Sequence, residues 1–329
     1  MKEIDSPKEV IMSINKAAKV LLTTCSDCKK DEKILFVTDL TSFEVAKIMW
    51  DAATDFPNRS LIMMEETNMH GQDPTELVGH AMKNADVIFG ITKFSLFHSQ
   101  ARKDAVANGA RFVNMVDYNT KMMEEGGLHC DFEEIGNVCS NVASKLENRK
   151  TCTITTDKGT NFTCEIEGIK PNPQYGRSLK PGSSSSPPDI ECATCALEGT
   201  GEGIIVVDGS IPHPELGLIT ENIKLTVEKG LIVKIEGGKQ AEILKNVLIN
   251  FNDPNVYNIG EIGIGLNPMC ELNGSMLEDE GCSETLHFGA GDNRGFGGKT
   301  ASNYHLDIII KSPDLEVDGE KILDKGRVL

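Results

Sequence analysis

Four short apolar runs, Lys33–Val37, Ser60–Met64, Asp86–Gly90 and Arg111–Met115, recur in the first third of the chain with helical patterns between them. Runs of this length that are apolar at consecutive positions suit strands buried on both faces. Ser42–Ala53, Pro74–Lys83 and Ser99–Asn108 carry apolar residues at helical spacing. A further amphipathic helix is expected over Pro7–Leu22, with Val10, Ile14, Ala17, Ala18 and Leu21 on one stripe. Parallel neighbours need a crossover, and the intervening helices supply it. Residues 1–148 are therefore expected to form an open parallel α/β sheet domain, with any ligand beyond the carboxyl ends of its strands. No Gly-x-Gly-x-x-Gly follows the first strand and no Walker loop occurs, so nucleotide binding is unsupported.

The pattern changes near Arg149. Arg149–Ile166 alternates polar and apolar residues around Asp157-Lys158-Gly159, a hairpin signal, and Asn222–Val227 with Leu231–Ile235 repeats it across Glu228-Lys229-Gly230. Gly203–Asp208, Asp307–Ile310 and Leu315–Val317 read as further strands and Gln240–Asn250 as the one good helix. Residues 149–329 are thus expected to be a mostly antiparallel β (α+β) domain, making the fold class α/β followed by a β-rich unit. Lys180–Pro188, rich in Ser, Pro and Gly, reads as a loop: a lid or an inert linker. Gly289–Gly298 reads as a flexible loop that lets backbone approach a ligand closely.

At 329 residues two domains are the default. A net charge of -17 argues against a nucleic-acid partner. No run of eighteen apolar residues exists and Met1–Asp5 lacks an apolar signal core, so a cytoplasmic protein with no membrane partner is expected. Ten cysteines then read as reduced thiols. Cys25-x-x-Cys28 and Cys192-x-x-Cys195 could make a four-thiolate zinc site, but they fall in different expected domains, and loose thiols are the better reading.

The chemistry concentrates between Tyr257 and Asp307. Three apolar, Gly-punctuated strand patterns there each carry an ionisable group: Glu261 in Asn258–Pro268, His287 in Ser283–Asp292, and His305 with Asp307 in Ser302–Ile310. A strand puts residues i and i+2 on one face, so His305 and Asp307 point the same way. Burying such groups without a cation or hydrogen-bond partner costs several kcal/mol, which favours a metal site over one hydrogen-bonded pair repeated by chance. His98 follows the third parallel strand, as a site residue at the functional edge of the sheet or as a helix-entry histidine beside a Ser99 cap. Glu280 and Glu284, in an acidic stretch, read as solvated secondary candidates.

Asn258-Ile-Gly-Glu261-Ile-Gly-Ile-Gly-Leu-Asn-Pro, Thr285-Leu-His287-Phe-Gly-Ala-Gly-Asp-Asn and Tyr304-His305-Leu-Asp307 resemble the thermophilic metallo-aminopeptidase family, aminopeptidase T and its relatives. Pro188-Asp-Ile-Glu191 resembles the segment carrying that family's first glutamate. The resemblance implies a homodimeric hydrolase, with a small molecule or short peptide as substrate. It implies two zinc, cobalt or manganese ions on Glu191, Glu261, His287, His305 and Asp307. Glu191 would be ligand or general base, and His98 a substrate contact or proton carrier. The family's tyrosine after the His287 position has no counterpart in Gly289–Arg294.

Gly238–Pro268 is similar to 2,5-dihydroxypyridine 5,6-dioxygenase, which implies the alternative of one ferrous ion on the same scaffold. The second iron-binding histidine of that enzyme falls where this chain has Glu261. Three carboxylates and two imidazoles match two divalent ions and one hydroxide, so an amide- or peptide-cleaving hydrolase is the expectation. The ring-cleaving dioxygenase is the first alternative, and a non-catalytic metal-stapled protein the second.

Overall fold

The computed structural model describes residues 7–329, with side chains from Val10 onward. The Met1–Asp5 segment, in which no signal core was read, lies outside the described residues. The chain divides into two compact units, one holding residues up to Phe132 with Tyr175–Pro188, the other Glu133–Gln174 with Asp189–Leu329. The expected boundary at 148 thus differs from this division in two places. Helix Phe132–Leu146, all but its first residue, joins the second unit, and a detached arm returns to the first.

The first unit is a parallel sheet in the order Arg59–Met63, Ile34–Thr38, Val87–Ile91, Arg111–Asn114, Ser184–Ser185. Three of its strands are buried at every position, which is why they read as continuous apolar runs. Helices Phe43–Ala52, Glu76–Lys83 and Gln100–Ala107 fill the crossovers. Ser99 caps the last, its hydroxyl accepting from Arg102 N at 3.2 Å. Phe36 stacks on Phe89 at 5.2 Å, and a Cβ at Gly90 would stand 2.7 Å from the Phe112 ring.

The Ser-rich arm is neither a free lid nor a bare linker. Ser184 and Ser185 pair with Phe112 and Val113 as a fifth parallel strand, and Tyr118 OH donates to the carbonyl of Pro187. Strand pairing needs only backbone N–H and C=O groups, so a serine run on a sheet edge gives no apolar signal.

The second unit holds two large antiparallel sheets, beside a two-stranded one of Ser210–Ile211 and Gly217–Leu218. One has eight strands; the other has five, in the order His305–Lys311, Thr285–Gly291, Ile259–Gly265, Glu191–Cys195, Asn172–Gln174. The hairpins expected at Asp157–Gly159 and Glu228–Gly230 are present. Where one helix was expected, this unit holds Phe132–Leu146, Lys239–Asn250 and Met276–Gly281. Ile262, Ile264, Leu286, Phe288, Leu306, Ile308 and Ile310 occupy one face of the five-stranded sheet, all buried. Phe288 meets Phe162 of the eight-stranded sheet edge-to-face at 5.3 Å. Each such large side chain contributes roughly 1.5–3 kcal/mol on burial, which rigidifies the sheet whose other face carries the ionisable groups. Among the described residues, no helix is long and apolar enough to cross a membrane.

Candidate metal centre

On the other face of the five-stranded sheet, ionisable side chains alternate with glycines across the strands. Glu191 lies opposite Gly265, His287 opposite Gly263, Glu261 and Asp307 both opposite Gly289, and His305 opposite Gly291. Residues paired across a ladder project to the same face, so each ligand-type side chain leans over a position with no side chain. A Cβ at Gly263 would come within 2.0 Å of His287 Nε2, and one at Gly289 within 2.5 Å of His305 Cε1. The glycine punctuation of these strands is therefore the space in which the polar cluster sits.

Five residues separated by up to 116 positions meet there. Glu191, Glu261 and His287 offer ligand atoms all within 4.8 Å of one another, and so do Glu261, His305 and Asp307. Glu261 belongs to both groups: its Oε1 lies 3.6 Å from His287 Nε2 and its Oε2 2.9 Å from His305 Nε2. His287 Nε2 is 3.1 Å from Glu191 Oε2, and His305 Nε2 is 3.1 Å from Asp307 Oδ1. His305 Nδ1 lies 2.7 Å from the carbonyl of Asp292, which fixes the proton on Nδ1 and leaves Nε2 for a metal. Gln174 Nε2 donates to Glu191 Oε1 at 2.6 Å, Glu191 Oε2 meets only His287 Nε2, and the buried Nδ1 of His287 has no hydrogen-bond partner. Buried carboxylate oxygens and imidazole Nε2 atoms that converge this closely are what a cation satisfies, and nitrogen and oxygen donors without thiolate suit a divalent ion of the iron, manganese or zinc type.

The local electrostatics agree. Burial raises the carboxyl pKa of Glu191 above its ordinary range, the charges of Glu261 and Asp307 adding to it against His287. Asp189 and Glu280 are pushed well up, by burial first and then by Glu191 and Asp307 respectively. Burial alone would depress His287 and His305. The carboxylates of Glu191 and Glu261 around one, and of Asp307 and Glu261 around the other, override it and raise both well above the usual imidazole value. Asp307 goes the other way, burial being outweighed by His305, and is held below the carboxylate range.

The metal-free protein consequently holds protons that the unfolded chain releases. Raised carboxyls in the folded state cost stability as pH rises above about 4, and raised imidazoles lose their contribution as pH rises from about 6.5 through their folded values. Chelator-treated protein is expected to show a thermal midpoint that falls steadily between pH 5.5 and 8.5. Divalent metal should flatten the slope, because the cation replaces the protons. A midpoint independent of pH after chelation would contradict this assignment of charge.

The remaining sequence candidates fall differently. His98 lies in the first unit, exposed, in the turn before Ser99, with its ring against Phe97, and belongs to neither ligand group. Glu284 is exposed and pairs with Arg327 at 2.9 Å, as a solvated residue should. Glu280 was read as solvated too, yet helix Met276–Gly281 turns its carboxyl in to hydrogen-bond Asp307. Asp189 was also missed; its Oδ1 is buried without a partner. The surrounding sequence of acids and glycines resembles a surface turn, and only the close packing of Gly281, whose Cβ would stand 2.9 Å from Asp189 Cα, turns it inward. All ten cysteines are free thiols, nine of them buried, so no four-thiolate site forms.

Comparison with known proteins gives one consistent family. The family model described as 2,5-dihydroxypyridine 5,6-dioxygenase matches residues 14–329. The 2,5-dihydroxypyridine 5,6-dioxygenase of Pseudomonas putida is 27% identical over 259 residues, covering 76% of this chain and 72% of that protein. The solved structure of 2,5-dihydroxypyridine dioxygenase from Pseudomonas putida KT2440 superposes with a TM-score of 0.79 at 22% identity, covering 99% of this chain and 98% of that one. Wild-type AmpT from Thermus thermophilus superposes with a TM-score of 0.70 at 13% identity, covering 97% and 99%. The α/β fold with its antiparallel second unit is shared by both structures. The expected aminopeptidase-type hydrolase is overturned by the family match, and the likeness to AmpT is one of fold. The error came from counting ligands: the donor set resembles that of a two-metal hydrolase, whereas the chain as a whole follows the dioxygenase pattern.

Proposed function

The chain belongs to the 2,5-dihydroxypyridine 5,6-dioxygenase family, and from that premise we propose that it is a metal-dependent dioxygenase cleaving a small hydroxylated pyridine or related ring. The observation that carries this reading is the extent of the family match, residues 14–329, which includes every residue of the metal centre. Ferrous iron, when bound, supplies the electron transfer that lets oxygen react with a closed-shell ring, which side chains alone do not provide.

Glu261, His305 and Asp307 would hold that ion. They depart from the two-histidine, one-carboxylate triad of many non-haem iron enzymes by having Glu261 in place of a histidine. The extra negative charge is what a second cation would balance. Four buried carboxyls, those of Asp189, Glu191, Glu261 and Asp307, with half-buried Glu280 beside them, face only two imidazoles, and Glu191, Glu261 and His287 would take a second divalent ion. Glu191 serves as ligand in this reading, its Oε1 fixed by Gln174 and its Oε2 turned toward His287 Nε2. His305 is the most open residue of the five, its side chain 28% exposed against 1% for His287, so the ring substrate approaches from the His305 side. There Phe296 offers an aromatic face, lying nearly parallel to the His305 ring at 5.5 Å.

The test is oxygen uptake by protein reconstituted with ferrous ion and given 2,5-dihydroxypyridine. One oxygen consumed per ring lost is expected, with two ions per chain by metal analysis. No uptake with iron, manganese or cobalt would sink the reading, and a single ion per chain would remove the second subsite.

A further inference from the structure

We propose that Glu198 and Asn293, neither of them a ligand, are positioning residues that hold the segment Asn293–Thr300 closed against the metal centre and so fix His305. The inference rests on the metal reading given above. By sequence Gly289–Gly298, which includes most of this segment, reads as a flexible loop. Its hydrogen bonds are those of a fastened one. Asn293 is 1% exposed, and its Nδ2 donates to Glu198 Oε1 at 3.1 Å and to Cys195 Sγ at 3.4 Å, while its Oδ1 accepts from Thr300 N at 2.8 Å. Its backbone carbonyl accepts from Phe296 N at 3.0 Å and Gly298 N at 3.1 Å. Glu198 Oε1 also accepts from Lys299 N at 2.5 Å and Thr300 N at 3.1 Å. One carboxylate oxygen and one amide thereby tie both ends of the segment together, each bond to the charged group being worth more than a neutral one.

The clamp is built to fit. A Cβ at Gly260 would stand 2.5 Å from Asn293 Cβ, and one at Gly298 2.2 Å from Asn293 Cγ, so the amide is held between two glycines. Gly260 immediately precedes Glu261, and Cys195 ends the strand that begins at Glu191. The fastening point is thus the same pair of strands that carries two of the ligands. Between the tied ends, the turn Arg294–Phe296 lays the phenyl ring over His305 at 24° between planes, and just before the segment the carbonyl of Asp292 holds His305 Nδ1. His305 is gripped by its nitrogen and covered on its face, and both contacts come from residues that the clamp positions.

Glu198 is exposed, so its replacement leaves the core intact. In Glu198→Ala, the amides of Lys299 and Thr300 are expected to exchange with deuterium at least ~10-fold faster. Cobalt(II) affinity, followed by visible absorption, should fall by roughly 10–100-fold, the range for outer-shell partners of a ligand. The cobalt spectrum should change as His305 loosens, while the number of ions bound stays that of the parent. Glu198→Gln keeps one acceptor oxygen and should recover most of the loss. Unchanged exchange in Glu198→Ala overturns the clamp. Faster exchange with cobalt affinity and spectrum unchanged overturns its connection to His305. A parent protein that binds no cobalt overturns the metal reading itself, and this inference with it.

Discussion

Replacing Glu261 by alanine is expected to strip the protein of divalent metal altogether, because this one carboxylate serves both ligand groups. Its two oxygens face opposite ways, Oε1 toward His287 and Oε2 toward His305. Its loss leaves Glu191 with His287 on one side and His305 with Asp307 on the other, each group short of a third donor. The effect on turnover should exceed the ~10–100-fold that outer-shell changes cost. Glu191→Ala is the control, since it spares Glu261, His305 and Asp307 and should lower the metal count by one while leaving the second group occupied. Glu261→His is the more informative variant. It would place two histidines and one carboxylate around the His305 side, a set that suits ferrous ion, and it should bind one ion and regain oxygen uptake above the alanine variant. The measurement is metal per chain by mass spectrometry with oxygen uptake on the same samples. Two ions retained in Glu261→Ala would remove Glu261 from the centre.

Much of this arrangement is legible in the sequence, and what is not has a physical explanation. Parallel strands such as Val87–Ile91 announce themselves because both faces are buried, so the apolar run has no gaps. Glu261, His287, His305 and Asp307 were conspicuous for the converse reason: charged groups in strands that are otherwise buried throughout. Glu191 was reached only through resemblance, because Glu191-Cys-Ala-Thr-Cys195 mixes a carboxyl, two thiols and a hydroxyl and so does not declare a strand, although all five residues are buried. Glu280 and Asp189 could not be found by pattern, since their inward direction depends on how Gly281 packs against Asp189. The Ser184–Ser185 strand was invisible because backbone pairing on a sheet edge carries no side-chain signature. Reaction class was the costliest error. Ligand identity reports the ion and its charge, whereas the substrate is selected by the surrounding walls, and those are set by long-range packing that local spacing does not encode.

Because glycines create the space for the ligands, adding a single methyl group should be as damaging as deleting a ligand. Gly263→Ala would put a Cβ 2.0 Å from His287 Nε2 and 2.2 Å from Cε1, far inside contact distance. His287 is 1% exposed and cannot swing into solvent, so either its imidazole turns away from Glu191 and Glu261 or the strands part. The expected cost is about 1–3 kcal/mol of stability for overpacking, with loss of the ion held by Glu191, Glu261 and His287. Gly289→Ala should strike the other side, its Cβ falling 2.5 Å from His305 Cε1 and 2.7 Å from Glu261 Cβ. Damage to Glu261 there would disturb both groups, so this variant should lose more metal than Gly263→Ala. Gly295→Ala is the matched control, because a Cβ there meets nothing within 4 Å. Thermal midpoints and metal content of the three variants decide the matter. If Gly263→Ala binds metal as the parent does, His287 is not a ligand, and the second ion loses its site while the one on Glu261, His305 and Asp307 keeps its own.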